Sequence, residues 1–195
     1  MAPPPPVTFR RATPEDAYDL ARATFLANER VDMQTMASQL GIGRATLHRW
    51  VQTRENLLDR VLGELAAGFF QASRDQAIGD PDDRLFETVR IILGLTATWE
   101  PLRGFIAREP ELALRLLMGR RANVRTGLLA GFRELLAETL PEEADQLEGF
   151  ATALVHVGLA LAWPTLVAGD EPSSDEIVQI GRALLAGARA GELPG

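Results

Sequence analysis

The chain has 195 residues, a net charge of -7, 46% hydrophobic residues and no cysteine. That length admits one domain or two small ones, and the apolar fraction is enough for a packed core, so extensive disorder is excluded away from the ends. Without cysteine neither disulfides nor thiolate chemistry can operate, and the two histidines, His48 and His156, lie too far apart in sequence for a familiar metal site, so no metal or cofactor is expected.

The N-terminal run MAPPPPVTFRR has no apolar signal core and reads as an extended, solvated arm of a cytoplasmic protein. Thr13-Pro14-Glu15-Asp16 supplies a capping hydroxyl, a first-turn proline and two acids, and an apolar stripe through Ala17, Leu20, Ala21 and Phe25 then predicts a helix over roughly 14 to 28. Asp32 caps a second helix that Gly41 stops near Leu40, and a third runs from about Arg44 to Val51. A fourth starts near Arg54 and reaches about Ala77. Gly79-Asp80-Pro81-Asp82-Asp83 is the clearest break in the chain. Helical segments are predicted beyond it at roughly 84 to 99, 102 to 108, 110 to 139, 143 to 168 and 174 to 190, punctuated by Pro101, Pro110, Pro141 and Pro172. No strand pattern emerges. The expected fold is all-α, with a head over 1–60, a connecting helix to about 78 and a larger helical body over 79–195.

Charge divides along the same line. Residues 1–60 carry 8 Arg against 7 carboxylates, and the remainder 12 Arg against 20. All basic residues are Arg, a bias that runs through the whole chain and carries little functional weight. Residues 33 to 54 hold no carboxylate, while Arg44, His48, Arg49 and Arg54 fall inside that stretch, which marks an anion-binding face.

The spacing within DMQTMASQLGIGRATLHRWVQTRENLL, residues 32 to 58, has a physical reason. Two helices meet at a steep angle when a small residue sits at their contact and the turn tolerates a left-handed backbone, and Ala37 and Gly41 stand in those roles. Met36, Leu40, Ile42 and Leu47 then face a shared core. Arg44, Thr46, His48, Arg49 and the outer edge of Trp50 project from the second helix, the one expected to lie in a major groove. An ordinary helical hairpin with a solvated Arg face has the same spacing.

At these residues the sequence resembles the TetR family of transcriptional regulators, through Met36-Ala37, Leu40-Gly41-Ile42, Ala45-Thr46-Leu47-His48 and Arg54-Glu55-Asn56-Leu57-Leu58. The resemblance implies base or phosphate contacts from Arg44 and Arg49, a hydroxyl contact from Thr46 beside Ala45, and a phosphate contact from Arg54 at a helix start. Two positions depart from the family pattern: His48 replaces a tyrosine that contacts phosphate, and Val51 stands where an aromatic is common. Arg10 and Arg11 offer further groove or backbone contacts. The resemblance also implies a homodimer that reads a palindromic double-stranded DNA operator, as a repressor, and releases it when a small molecule enters the body.

The segment from Gly149 to Gly169 has no formal charge and is long enough to cross a bilayer, but acids flank it at Glu148 and Asp170, and His156 and Pro164 interrupt it. It reads instead as a helix buried in a core and an oligomer interface. Small residues Gly158, Ala160 and Ala162 beside Leu154, Leu159, Leu161 and Trp163, with Gly181, Ala183, Ala186 and Gly187 beside Ile177, Ile180 and Leu184 on the last helix, look like the four-helix dimer interface of the family, although packing within one protomer has the same pattern. Candidate ligand-pocket residues are Thr96, Trp99, Phe105, Met118, Phe132, Phe150, His156 and Trp163, of which the imidazole of His156 most needs a partner. The segment PLRGFIAREPELALRLLMG is similar to a branch of the family that controls degradation of quorum-signal lactones, which implies a hydrophobic lactone or acyl-chain effector.

Enzyme chemistry finds no support: no catalytic triad, carboxylate pair or phosphate loop stands out, and the GIG at 41 to 43 follows a helix rather than a strand. The remaining alternative is a helical adaptor that binds a protein through the same motif, without specific DNA binding.

Overall fold

The computed structural model describes residues 11–191; Arg10 and the proline arm lie outside the described residues. Ten helices and no strand are present among them: α1 Pro14–Leu26, α2 Met33–Gln39, α3 Arg44–Val51, α4 Arg54–Gln76, α5 Pro81–Ala97, α6 Glu100–Arg108, α7 Pro110–Met118, α8 Asn123–Thr139, α9 Glu148–Ala168 and α10 Ser174–Arg189. The fold class is therefore all-α.

Local chemistry sets most of the starts. Thr13 and Asp16 form a reciprocal capping box, with the Asp16 carboxylate accepting from the Thr13 amide at 2.7 Å. Asp32, Thr53 and Asp80 accept from the amides of Thr35, Asn56 and Asp83 at 2.8, 3.0 and 2.9 Å. Asp80 with Pro81 at the first position starts α5 three residues before the predicted point, inside what the sequence marks as a break.

The predicted helix over 110 to 139 is two helices. Gly119 to Ala122 leaves the helical path, and a Cβ at Gly119 would collide with the Arg115 carbonyl oxygen. The new helix is capped from outside its own sequence, since Asp59 on α4 accepts from the Asn123 amide at 3.0 Å. Residues 143 to 147 form turns rather than the first turn of α9.

α4 is the spine. It packs along α8 closely enough that a Cβ at Gly63 would strike Asn123, and one at Gly131 would lie 2.6 Å from the Phe70 ring. Gly131→Ala is accordingly expected to destabilise by about 1–3 kcal/mol, the usual cost of overpacking, read as a lower urea midpoint with an unchanged slope.

Two hydrophobic clusters result. One joins Ala17, Phe25, Met36, Leu47, Leu57 and Leu58 of the head to Leu102, Phe105, Ile106, Ala113 and Leu116 of α6 and α7. The other gathers Phe70, Leu85, Phe86, Phe132, Phe150, Leu154 and Ile177 among α4, α5, α8, α9 and α10. The head's core thus continues into the body through α6 and α7.

Candidate nucleic-acid interface and apolar cavity

The turn between α2 and α3 is built by Gly41, whose φ of +64° is a left-handed value that costs glycine little. The Ile42 amide then reaches back to the Ala37 carbonyl at 3.0 Å. Met36, Ala37 and Leu47 are buried beneath it, so the phase of α3 is fixed by its inner face. The outer face presents Arg44, Ala45, His48 and Arg49 to solvent, with Thr46 and Trp50 half-buried at its edge. Arg44, His48 and Arg49 make no hydrogen bond or ion pair among the described residues. Their donors are available to an external anion.

Arg54 is placed differently. Its guanidinium is forked onto Glu109, at 2.8 and 2.6 Å, and its Nε donates to the Val31 carbonyl at 2.5 Å. The carboxylate-free run hid this because the partner lies 55 residues away. Arg54 still borders a groove with Arg44, His48, Gln34, Gln52 and Thr53, at whose edge Asp32 brings one carboxylate. Gln34, Gln52 and Thr53 add three neutral donors that charge alone does not single out, although they sit inside the same carboxylate-free run.

Several contacts clamp the head to the α6–α7 corner. Glu109 also stands 3.6 Å from Arg30, Arg108 donates to Asn28 at 2.8 Å, and Arg115 donates to Glu55 at 3.1 Å. The hydrogen bonds and charge of Arg54 hold the Glu109 carboxyl below the usual carboxylate range, against the opposing effect of burial. Above this corner Trp99 packs on Phe69 with centroids 4.8 Å apart, and on Phe25 at 5.7 Å; Phe105 meets Phe25 at 5.7 Å.

Between α4, α5, α7, α8 and α9 lies an apolar cavity of about 140 Å³. Four of the eight expected pocket residues line it: Thr96, Met118, Phe132 and Trp163. Its walls carry no charged side chain, and the Thr96 hydroxyl is spent on the Ile92 carbonyl at 2.8 Å. Trp99 and Phe105 belong to the head–body aromatic cluster instead, and Phe150 is fully buried in the second core. His156 points the other way. Val155 and Leu159 take the cavity face of α9, and His156 lies on its solvent side.

The same helical phase redistributes the expected dimer residues. Leu154, Ala162 and Ile177 are buried within the protomer, and Gly158 lines the cavity. Leu161, Ile180 and Leu184 remain half-exposed. On α9, Ala153, Val157, Ala160 and Pro164 are exposed or half-exposed, as are Ala183 and Gly187 on α10. Only 28% of the most apolar window of α9 is buried, although it is long and apolar enough to cross a membrane.

A helix-turn-helix head with free cations on its second helix, joined to a helical body with an apolar cavity, defines a DNA-binding regulator class. Residues 81–186 match the tetracyclin repressor-like C-terminal domain, more than half of the chain, and the protein belongs to the TetR family. The transcriptional repressor QsdR of R. erythropolis, from the same family, is 26% identical with a TM-score of 0.77, covering 89% of this chain and 94% of that one. The TetR family repressor AlkX of Dietzia sp., implicated in n-alkane biodegradation, shares the fold at 19% identity and a TM-score of 0.65, covering 93% and 98%. No curated protein matches the sequence.

Proposed function

We propose that the protein is a transcriptional repressor that binds a palindromic operator as a homodimer and lets go when a small hydrophobic effector enters the cavity. The observation that carries this reading is the outer face of α3, where Arg44, His48 and Arg49 stand exposed and without a partner among the described residues. Duplex DNA from the protein's own upstream region should be retarded in a gel, with affinity falling steeply as salt rises because several phosphates release counterions. No retardation at low salt would sink the DNA reading and leave the adaptor.

Effector coupling follows from shared walls. Leu102 of α6 and Leu117 and Met118 of α7 line the cavity, while the Arg108–Pro110 corner between those helices grips Arg54 at the start of α4. A ligand that spreads α6 and α7 changes the seat of α4, and with it the separation of two α3 helices across a dimer. Differential affinity for the two arrangements is what releases the operator.

For the dimer we propose the outward faces of α9 and α10 rather than the inward ones. A helix this apolar and this little buried leaves surface that water disfavours. Its small residues also permit a close approach. Ala160→Arg is expected to give monomers by sedimentation and to abolish operator binding, whereas a dimer that persists would exclude this face.

A further inference from the structure

Of the side chains that line the apolar cavity, only those of Thr96 and Trp163 carry a nitrogen or oxygen atom. The Thr96 hydroxyl is turned onto its own helix, donating to the Ile92 carbonyl at 2.8 Å, and Trp163 brings a single indole N–H at the edge of a large apolar ring. The wall surface is accordingly apolar almost throughout. A carbonyl or hydroxyl group placed against it gives up its water and gains next to nothing in return.

The lining also runs lengthwise. On α9 it extends from Leu154 to Leu166, about 18 Å at the helical rise, and on α8 from Val124 to Phe132, about 12 Å. A volume of about 140 Å³ drawn out along these helices is long and narrow. We infer that its occupant is an unfunctionalised straight-chain hydrocarbon of about six carbons, the amount that a cavity of about 150 Å³ holds, rather than the lactone expected from the sequence. The affinity of such a ligand comes wholly from apolar surface removed from water, which is the one kind of contact these walls offer. This deepens the reading of the cavity as the effector site and rests on it.

The test is calorimetric titration of the full-length protein with n-hexane, cyclohexane, 1-pentanol and γ-valerolactone, followed by operator release under the same ligands. n-Hexane and 1-pentanol match in heavy atoms, so their difference reports the hydroxyl alone. n-Hexane should bind about tenfold or more tightly than 1-pentanol or the lactone, because a buried polar group without a partner loses at least that factor. Cyclohexane should bind more weakly than n-hexane, and equal binding overturns the straight chain. A Cβ at Gly158 meets nothing closer than Ile177, at 3.9 Å, so Gly158→Leu should fill the cavity and abolish n-hexane binding while helicity and oligomeric mass stay those of the parent. A folded Gly158→Leu that binds n-hexane as the parent does overturns the cavity as its site. The ligand comparison on the parent stands whatever the fold of that variant. An alcohol or lactone that binds as tightly as n-hexane overturns the hydrocarbon but preserves the cavity as effector site. n-Hexane that binds without releasing the operator keeps the hydrocarbon and overturns the effector reading, and failure of every ligand to bind overturns both.

Discussion

Arg49→Ala is expected to weaken operator binding by about 1–3 kcal/mol, and Arg44→Ala by a similar amount, with no measurable change in stability. The asymmetry follows from their surroundings. Neither side chain has a partner among the described residues and both are exposed, so truncation removes nothing from the fold, and exposed substitutions of this kind stay within about 0.5 kcal/mol. Fluorescence anisotropy across a salt series separates their roles. A phosphate contact lowers affinity for all sequences and reduces the salt slope by about one, whereas a base contact leaves the slope nearly intact and relaxes preference at one position. If both variants bind as tightly as the parent while remaining folded dimers, α3 is not the recognition helix.

Glu109→Ala should do the opposite, costing stability first and operator binding through it. The substitution leaves the Arg54 guanidinium, 22% exposed, without its bidentate partner at the point where head and body meet. Removal of one member of a fully buried pair costs about 3–5 kcal/mol; at this partial burial about 2 kcal/mol is expected. Because Arg54 depresses the Glu109 pKa, the unfolded chain takes up this proton at a higher pH than the folded one. The pair's contribution is therefore complete above the ordinary glutamate range and is lost as pH falls through the lower folded value. Chemical denaturation at neutral and acidic pH should show the difference between parent and Glu109→Ala shrinking at the acidic end. A constant difference would remove Glu109 as the titrating group. Arg54→Ala should lose comparable stability, which separates it from Arg44 and Arg49 despite their common stretch of sequence.

What the sequence made legible was local. Thr13 with Asp16, Asp32 before α2 and Gly41 after it act over three or four residues, so the head could be read position by position. The split at Gly119 escaped because apolar periodicity continues through it and its cap, Asp59, arrives from another helix. The tie between Arg54 and Glu109 escaped for the same reason, since the two lie 55 residues apart in sequence. In α9 the difficulty was phase. A helix apolar on nearly every face gives no amphipathic signal, so Leu154 and Ala162 could not be told from Val157 and Ala160, nor His156 from a cavity residue. Which way a uniformly apolar helix turns is decided by its neighbours.

The first hydrophobic cluster constrains how the molecule comes apart. Since Phe25, Met36 and Leu57 share one packed interior with Leu102, Phe105 and Leu116, the three-helix head has no boundary at which it can be excised intact. Cutting the chain after α4 would uncover the apolar surfaces that α6 and α7 cover. Head and body should therefore lose structure in a single cooperative transition, with slow amide exchange in α1 and α6 reporting the same opening free energy. A fold whose reading head cannot melt separately from its sensing half transmits strain between them instead of dissipating it in a hinge.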